Sequence, residues 1–213
     1  VDTLLALPGV ADVQTTIEEI VRIEIPGLPD PIVGQLIGLD PRSPPRMNRV
    51  TVASGRMIET RSDGAIEVLV SEGFAQARRL RQGDRLLALV NGRQRPLVVA
   101  GTALSPEFIF AGLWGMPDTR GFGVFWVDRE TLAAAYDMRG AFNRIAVKLA
   151  PGTVADAVTD ALARVLAPYG GRDAHGRPDQ TSHAMLDNEI KEQRVLGTVL
   201  PVIFLSVAAF LLN

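Results

Sequence analysis

Residues with the chemistry to act as nucleophiles or acids are few and widely separated in this sequence. Ser71 stands beside Glu72, and a serine next to a carboxylate is one arrangement from which a nucleophile can be built. Neither histidine, His175 or His183, is near that serine in sequence, and no G-x-S-x-G elbow is present. Ser71 is therefore better suited to cap the helix that we expect to follow it.

Metal binding and thiol chemistry have little support. His183 and Asp187 are spaced i,i+4, which places both side chains on one face of a helix. A pair of ligands without a third is usually a pair of solvated side chains. The chain has no cysteine, which excludes disulfides, thiol nucleophiles and cysteine-ligated zinc. We therefore expect no catalytic residue, no metal site and no cofactor.

Nucleotide and nucleic-acid binding are not indicated either. No G-x-x-x-x-G-K-[ST] phosphate loop is present. The G-x-G of "RGFGVFW", Gly121 to Gly123, lacks a third glycine and precedes a predicted strand, so a turn is the simpler interpretation. The chain has 22 Lys and Arg against 24 Asp and Glu, a net charge of −2, without the basic excess of a nucleic-acid binder.

One segment has the composition of a contact surface. The sequence "SPEFIFAGLWGMPDTRGFG", residues 105–123, places large apolar residues in a region rich in Gly and Pro. Such a loop either packs on its own domain, which is the commoner outcome for large apolar residues, or offers a surface to a partner, a substrate or lipid. The candidate contact residues are Phe108, Phe110, Leu113, Trp114 and Met116.

The end of the chain has the composition of a membrane span. Residues 196–213, "LGTVLPVIFLSVAAFLLN", contain no Asp, Glu, Lys, Arg or His. An uncharged stretch of about 18 residues can begin a span, whereas an interfacial helix needs a strongly polar face. Pro201 is better tolerated in a membrane helix than in a soluble one. Since Val1 is not an initiator methionine, we expect a domain held between two spans; a buried core helix is the alternative for residues 196–213.

Strand signals dominate the first half of the chain. Residues 10–25 end in alternating apolar and polar residues, which predicts one strand with a wet face. Residues 32–40 predict a second strand, and residues 66–70 predict a buried one. Asn91 and Gly92 lie between two apolar runs and predict a hairpin whose turn needs positive φ.

Helix signals separate and follow these strands. Ser71 and Asp128 each stand where a side chain can cap a helix. Apolar residues recur at helical spacing over residues 154–166, which predicts a helix packed on a sheet. A charged helix over residues 183–195 is expected to continue without a break into the apolar end.

The order of these elements predicts an α+β fold with two subdomains. The stretch "PRSPP" after Asp40 has the extended backbone of a linker, and we place a boundary there. Residues 1–45 and 140–195 form the predicted membrane-proximal, βαβ-like strand-helix subdomain. Residues 46–139 form a β-rich subdomain inserted into it. Residues 196–213 begin the predicted transmembrane helix, so helices near the membrane flank the domain.

Several motifs occur in an order that resembles one known family. They are "LPGVADV", "GQLIGLD", "ASGRMI", "EVLVSEGFAQARRLRQGDRLLALVNG", "VAGTALSPEF" and "FNRIAVKLAPG", followed by the charged helix and "LPVIFLSVAAFLL". Over nearly its whole length the chain is similar to the MacB-like periplasmic core domain of ABC transporter permeases, in the wider FtsX-like and LolC/LolE-like group. In that family the domain lies between the first two spans and carries a β-rich insertion.

The resemblance implies a mechanical role at the inner membrane, on its periplasmic side. The domain would couple cytoplasmic ATP hydrolysis to export or extraction of a lipid, lipoprotein, peptide or drug, without chemistry of its own. Implied partners are a second permease subunit, cytoplasmic ATPase subunits and a periplasmic adaptor or lipoprotein. The alternative is the extracytoplasmic sensor domain of a two-span receptor.

Overall fold

The computed structural model describes residues 1–43, 45–61, 63–112, 116–171 and 174–211. These residues form two compact units, which are Val1–Ala174 and His175–Asn213. Each unit is described by itself below, with statements confined to the described residues.

The first unit contains two sheets and four α-helices among the described residues. The small sheet pairs β1 (Val10–Thr16) with β9 (Arg144–Leu149) in antiparallel fashion. The strands of the large sheet are β2 (Glu18–Glu24), β3 (Ile32–Leu39), β4 (Thr51–Gly55), β5 (Ile66–Ser71), β6 (Arg85–Val90), β7 (Arg93–Leu104) and β8 (Phe122–Asp128). The helices are α1 (Asp2–Leu5), α2 (Glu72–Arg78), α3 (Arg129–Ala135) and α4 (Ala155–Leu166).

The large sheet closes on itself. Its strand order is β4-β7-β5-β8-β3-β2-β6, and β6 also pairs with β7. Because β6 is hydrogen-bonded to both β2 and β7, the strands other than β4 form a closed barrel. Closure removes the free edges that an open sheet exposes, and β4 extends the barrel along β7.

The interior of the barrel is an apolar core. Helices α2 and α3 contribute Phe74 and Leu132 to it, and the Phe74 ring meets Phe125 edge-on at a centroid distance of 5.6 Å. Gly34 leaves room for Ile23, because a Cβ at Gly34 would lie 2.3 Å from Ile23 Cδ1. The inward strand residues include Val21, Ile23, Ile32, Leu36, Val68, Val70, Leu86, Ala88, Leu97, Val99, Phe125 and Val127.

A second apolar layer lies on the outside of the barrel. Val124 and Trp126 alternate with the inward Phe125 and Val127, as side chains do along a strand. Residues 50–58 and 108–111 of the same chain contribute the covering side chains. The buried members of this layer are Ile37, Leu39, Ile58, Leu69, Ala100, Ala103, Phe122, Val124 and Trp126.

Several predicted local features are confirmed. The hairpin turns at Asn91 and Gly92, whose φ angles are 44° and 74°. The Asp128 carboxylate caps α3 by accepting the N–H of Thr131 at 2.9 Å. Ser71 occupies the N-cap position of α2, but its side chain makes no capping hydrogen bond. The predicted position is therefore correct and the predicted hydrogen bond is wrong. The Ser71 hydroxyl oxygen instead accepts the N–H of Val124 at 3.3 Å and joins β5 to β8.

Residues 10–25 do not form one strand, as the alternation suggested. The chain divides at Ile17, which is fully buried, and β1 and β2 join different sheets. The Ile17 carbonyl accepts the N–H of Gly38 at 2.8 Å, so this residue leaves both ladders to bind β3. A local pattern cannot show this division, because both halves are extended and half-apolar.

The large sheet also crosses the boundary that we placed after Asp40. Strands β2 and β3 precede that boundary, yet they pair with β6 and β8 in the barrel. The inward side chains Val21, Ile23 and Leu36 explain this arrangement, since they share one core with strands from the predicted insertion. Of the strands in the predicted strand-helix subdomain, β2 and β3 thus belong to the barrel, whereas β1 and β9 form the small sheet.

Helix α4 confirms the predicted helix, with one side partly buried. Val158 is its buried residue, and Val158 Cγ2 lies 3.2 Å from where a Cβ on Gly9 would stand. Leu162 and Val165 remain half-buried. The apolar side of α4 is therefore only partly covered within the first unit.

The second unit consists mainly of α5 (Thr181–Leu211), one continuous helix as predicted. Its charged part carries the expected Asp187–Lys191 pair at 2.6 Å. Pro201 lies inside the helix, and farther along Ser206 Oγ donates to the Val202 carbonyl at 2.7 Å. By length and composition, Ser182–Leu211 is able to cross a membrane.

Candidate functional site

The predicted contact residues do not share one environment. Phe108 packs edge-on against Trp126 at a centroid distance of 6.1 Å, within the outer apolar layer. Phe110 is half-buried, whereas Met116 is 70% exposed. Leu113 and Trp114 lie outside the described residues. Phe108 is therefore an anchor of the segment, and Met116 is the described candidate that is free to touch another molecule.

A short 3₁₀ turn, Pro106–Phe108, fixes the start of this contact segment. Ser105 precedes the turn, and its hydroxyl oxygen accepts the N–H of Glu107 at 3.4 Å. The same hydroxyl donates to the Asn48 carbonyl at 3.3 Å. These bonds tie the segment to the chain that covers the barrel, so its first residues have little freedom.

Glu107 connects the contact segment to both sheets through one ionic cluster. Arg144, at the start of β9, donates to Glu107 and to Glu18, the latter at 2.7 Å. Gln35 of β3 donates to the same Glu18 oxygen at 2.8 Å, and Asn48 donates to Glu107 at 2.8 Å. Both glutamates are largely buried, with 13% of each side chain exposed. We call Glu18, Glu107 and Arg144 the joint cluster.

Within the described residues, the joint cluster places two carboxylates against the guanidinium of Arg144. Burial raises the pKa of Glu18, and the nearby Glu107 charge acts in the same direction. The Arg144 charge opposes that shift without cancelling it. The cluster is therefore a place where proton binding and packing are linked.

Further contacts join the small sheet to the barrel near the joint cluster. The Asn143 side chain bonds both backbone groups of Glu18 at 2.8 Å, as a neighbouring strand would. Arg129 of α3 donates to the Thr15 carbonyl of β1. The small sheet is thus held by directional polar bonds on β1 and β9 alike, which restricts its rotation against the barrel.

A second buried carboxylate, Glu67, fastens another covering segment to the barrel. Its side chain is 3% exposed and accepts two bonds from Arg56, at 2.5 and 2.7 Å. The backbone N–H of Glu59 adds a bond at 2.9 Å, and Arg61 adds a longer one at 3.4 Å. The bonds from Arg56 hold the pKa of Glu67 below its usual range. The bonds around Glu67 keep Ile58 in the outer apolar layer, so the role of this carboxylate is structural.

An open cleft of about 590 Å³ lies next to the Glu67 cluster. Its walls carry both signs of charge, from Arg42, Glu59 and Glu130, and include Asp128, whose carboxylate already caps α3. None of the three described candidate contact residues, Phe108, Phe110 and Met116, lines it.

The residues considered for chemistry do not assemble into a site. Within the described part of the chain, no group of three or more His, Asp or Glu side chains could hold a metal ion. The turn before β8 ends at Gly121, and Phe122 and Gly123 of the G-x-G stretch already belong to the strand. In this turn Asp118 accepts the N–H groups of Arg120 and Gly121 at 2.9 and 2.7 Å. Those two bonds lower the pKa of Asp118, so this carboxylate serves the turn.

The joint cluster was not predicted from the sequence. Glu18 and Arg144 stand 126 residues apart, and the residues around Glu18 do not indicate a buried partner. A weak signal is present at Arg144, which interrupts the apolar run of "FNRIAVKLA" at the first residue of a strand. An arginine at such a position requires a carboxylate or water as its partner. Which residue supplies that partner depends on the fold.

Comparison with protein families gives one match. The family described as the MacB-like periplasmic core domain matches residues 1–165, more than three quarters of the chain. Among curated proteins, none matches the chain in sequence.

Solved structures with related folds include three domains from bacterial membrane proteins. The extracellular domain of the ABC-type transporter YknZ from Gram-positive bacteria has a TM-score of 0.48 at 16% identity, covering 81% of this chain and 83% of that one. The periplasmic region of MacB from Actinobacillus actinomycetemcomitans has a TM-score of 0.45 at 13% identity, covering 89% and 80%. A domain of a putative permease protein from Porphyromonas gingivalis has a TM-score of 0.41 at 15% identity, covering 76% and 72%.

Proposed function

The chain belongs to the MacB-like periplasmic core domain family, and we propose that it couples cytoplasmic ATP hydrolysis to movement of a lipid, lipoprotein, peptide or drug. It is the periplasmic core domain of a MacB/FtsX-like ABC transporter permease, and it lies outside the cytoplasm in a membrane protein. The family is a permease domain and not a catalytic one. Export or extraction of the substrate, at the inner membrane, is the finer function that we propose.

The family match carries this proposal, and α5 supports it. Asp187, Glu189 and Lys191 lie in the charged part of the helix, and no charged residue follows Arg194 within the described residues. A single helix that changes from charged to apolar without a break suits a connection between a water-exposed domain and a membrane span. We propose that residues 196–213 begin that span.

The proposed coupling is mechanical and uses the joint cluster. A displacement of the small sheet, β1 and β9, would reach the barrel through Arg144, because this side chain bonds both Glu18 and Glu107. Glu107 begins the contact segment, so the same displacement would move residues 105–123. Directional bonds transmit such a movement better than an apolar contact, which permits sliding.

We further propose that the contact segment touches a partner or the substrate. Met116 and Ile109 are 70% and 56% exposed, and Phe110 is half-buried beside them in sequence. Phe108 would anchor the segment on Trp126. The proposed contact residues remain Phe108, Phe110, Leu113, Trp114 and Met116. Among them, Phe108 would contribute indirectly, by holding the segment on the barrel.

Replacing Met116 with Ser in the full-length permease is expected to lower transport about fivefold or more, since truncating a residue that carries binding energy costs about 1 kcal/mol or more. The thermal unfolding temperature is expected to stay unchanged, because this side chain is 70% exposed. Leu104→Ser, at a leucine 51% exposed outside the candidate set, is the matched control and keeps full transport. Equal loss in both variants would contradict a specific contact.

The function as a whole is tested by membrane topology together with ATPase association. Single cysteines introduced at exposed positions such as Asp30, in a full-length protein from which any other cysteines are removed, are expected to react with an impermeant thiol reagent from outside the cell. An ATP-hydrolysing subunit is expected to co-purify with the full-length protein. A protein with two spans, a cytoplasmic signalling segment and no ATPase would be a sensor, and the proposal would fail.

A further inference from the structure

The cleft beside the Glu67 cluster adjoins a second cavity, and the two together line the exposed side of α3. The larger lobe has a volume of about 590 Å³ and the smaller one about 300 Å³. Both volumes lie at the lower end of the range that small ligands occupy. The residues shared by both walls are Glu59, Thr60, Asp128, Thr131 and Ala134. We call the two lobes the α3 groove, which lies between α3 and residues 58–61.

Seven charged side chains line the α3 groove within the described residues, and five of them already bond other parts of the chain. The five bonded ones are Arg42, Glu59, Arg61, Glu67 and Asp128. The other two are Arg95 and Glu130, for which no ion pair or side-chain hydrogen bond is formed with a described residue. The groove therefore offers one uncommitted cation and one uncommitted anion.

These two charges belong to different lobes. Glu130 lines only the larger lobe, and Arg95 lines only the smaller one. In the β6–β7 ladder Arg95 pairs with Ala88, which is fully buried, so the arginine extends from the inner side of the barrel wall. Its neighbours on that side are apolar, and an arginine placed there requires an anion or water.

Thr60 adds unused peptide groups in the wall that both lobes share. This residue is exposed, and its backbone and hydroxyl form no hydrogen bond with the described residues. Its N–H and C=O are therefore available to a donor and an acceptor at once, which is what a second peptide chain provides. The α3 wall contributes the small side chains Thr131 and Ala134, which leave space for such a chain.

We propose that the α3 groove binds the carboxyl-terminal end of a peptide with a basic residue a few positions upstream. The terminal carboxylate binds Arg95, the basic side chain binds Glu130, and peptide groups between them bond Thr60. A fatty acid supplies only the carboxylate, and an amine supplies only the cation. A zwitterionic peptide end satisfies both uncommitted charges with charge-assisted hydrogen bonds.

This site goes beyond the proposed function, because it names a ligand and a place that differ from the contact segment. Phe108, Phe110 and Met116, the described candidate contact residues, line neither lobe. Peptide binding in the groove requires no ATP hydrolysis. It is therefore measurable on the resting full-length permease.

Fluorescence anisotropy of labelled peptides, with the full-length permease in detergent and without nucleotide, tests the site. The probes carry a label at the amino end, then one lysine, then one, two or three alanines. Each is made with a free carboxylate and as the carboxamide. The best free-acid probe is expected to bind saturably and about tenfold more tightly than its amide, since the amide cannot form the charged bond.

Substitutions in the groove are expected to act only on the matching part of the probe. Arg95→Gln weakens the free acid about tenfold and leaves the affinity of the amide unchanged. Glu130→Gln weakens the lysine probe about fivefold and does not affect a probe with alanine in place of lysine. Arg93→Gln is the matched control, because this exposed arginine stands two residues before Arg95 and lines neither lobe.

A larger side chain in the shared wall tests whether the probe lies in the groove. Ala134→Leu is expected to weaken every probe at least about fivefold, because the added atoms occupy both lobes. Ala163→Leu, at an exposed alanine of α4, is the control and keeps full affinity. Unchanged thermal unfolding of each variant shows that the barrel is intact.

Three outcomes overturn the peptide site: no saturable binding of any free-acid probe, equal binding of acid and amide, or equal losses from Arg95→Gln and Arg93→Gln. Failure of the proposed function is recognised separately, by the absence of an associated ATPase. An ATPase that co-purifies with a permease unable to bind the probes therefore overturns only the peptide site.

Discussion

At the scale of single residues, Arg144 holds the joint cluster together. Its guanidinium bonds both Glu18 and Glu107, so its removal takes a shared positive charge from two mostly buried carboxylates. Arg144→Met is therefore expected to lower the free energy of unfolding by about 1–3 kcal/mol, a range reduced for the partial exposure of the guanidinium. Chemical denaturation of the chain in detergent measures it.

Arg42→Met provides the control for that experiment. Arg42 pairs with Asp40 at 3.7 Å on the surface, with 84% of the arginine side chain exposed. Surface ion pairs contribute about 0–1 kcal/mol, so this variant is expected to unfold nearly as the parent does. Equal destabilisation by both substitutions would refute a special role for the joint cluster.

The raised pKa of Glu18 predicts a pH effect with a definite sign. A carboxyl whose pKa is higher in the folded than in the unfolded state favours folding at low pH, and this contribution is lost as pH rises through the folded-state pKa. Glu18→Gln removes it, so the variant is expected to gain stability relative to the parent between about pH 4 and pH 7. Denaturation curves across that range measure the difference, and a difference independent of pH would count against the shift.

At the scale of elements, the approach of β4 to β7 depends on a glycine. A Cβ at Gly101 would lie 2.3 Å from the Ser54 carbonyl oxygen, a backbone atom that cannot rotate away. Gly101→Ala is expected to lower the free energy of unfolding by about 1–3 kcal/mol through overpacking. Gly73→Ala in α2 is the control, because its Cβ would meet only Thr119 Cγ2 at 3.6 Å and alanine favours a helix. Destabilisation by Gly73→Ala of the same size would contradict this reason.

Most element types were predictable from the sequence, and the pairing of strands distant from one another along the chain was not. Asn91-Gly92 and Asp128 carry their conformations in their own side-chain chemistry, so the hairpin and the cap of α3 were foreseen. Barrel closure depends on β6 bonding both β2 and β7. Strand β2 is distant in sequence from both β6 and β7. Ile17 and Ser71 show the same limit, since their contacts with Gly38 and Val124 are tertiary.

At the scale of the whole molecule, the family and the apolar helix were predictable because they rest on ordered motifs and composition. The contact residues were only partly separable by sequence, since Phe108 and Met116 are both large and apolar. Packing on Trp126 partly buries Phe108, whereas Met116 stays exposed. That distinction depends on which outward positions of β8 the contact segment covers, which is a property of the assembled barrel.

The apolar end of α5 predicts how the isolated chain behaves in water. Phe204, Leu205 and Phe210 are 70%, 70% and 83% exposed, a surface that water-soluble proteins rarely present. The 213-residue chain is therefore expected to self-associate without detergent, and a version ending at Arg194 is expected to sediment as a monomer at low micromolar concentration. Sedimentation velocity measures both. A strictly monomeric 213-residue chain without detergent would mean that the apolar end of α5 is covered within one molecule, and the proposed membrane span would lose its physical basis.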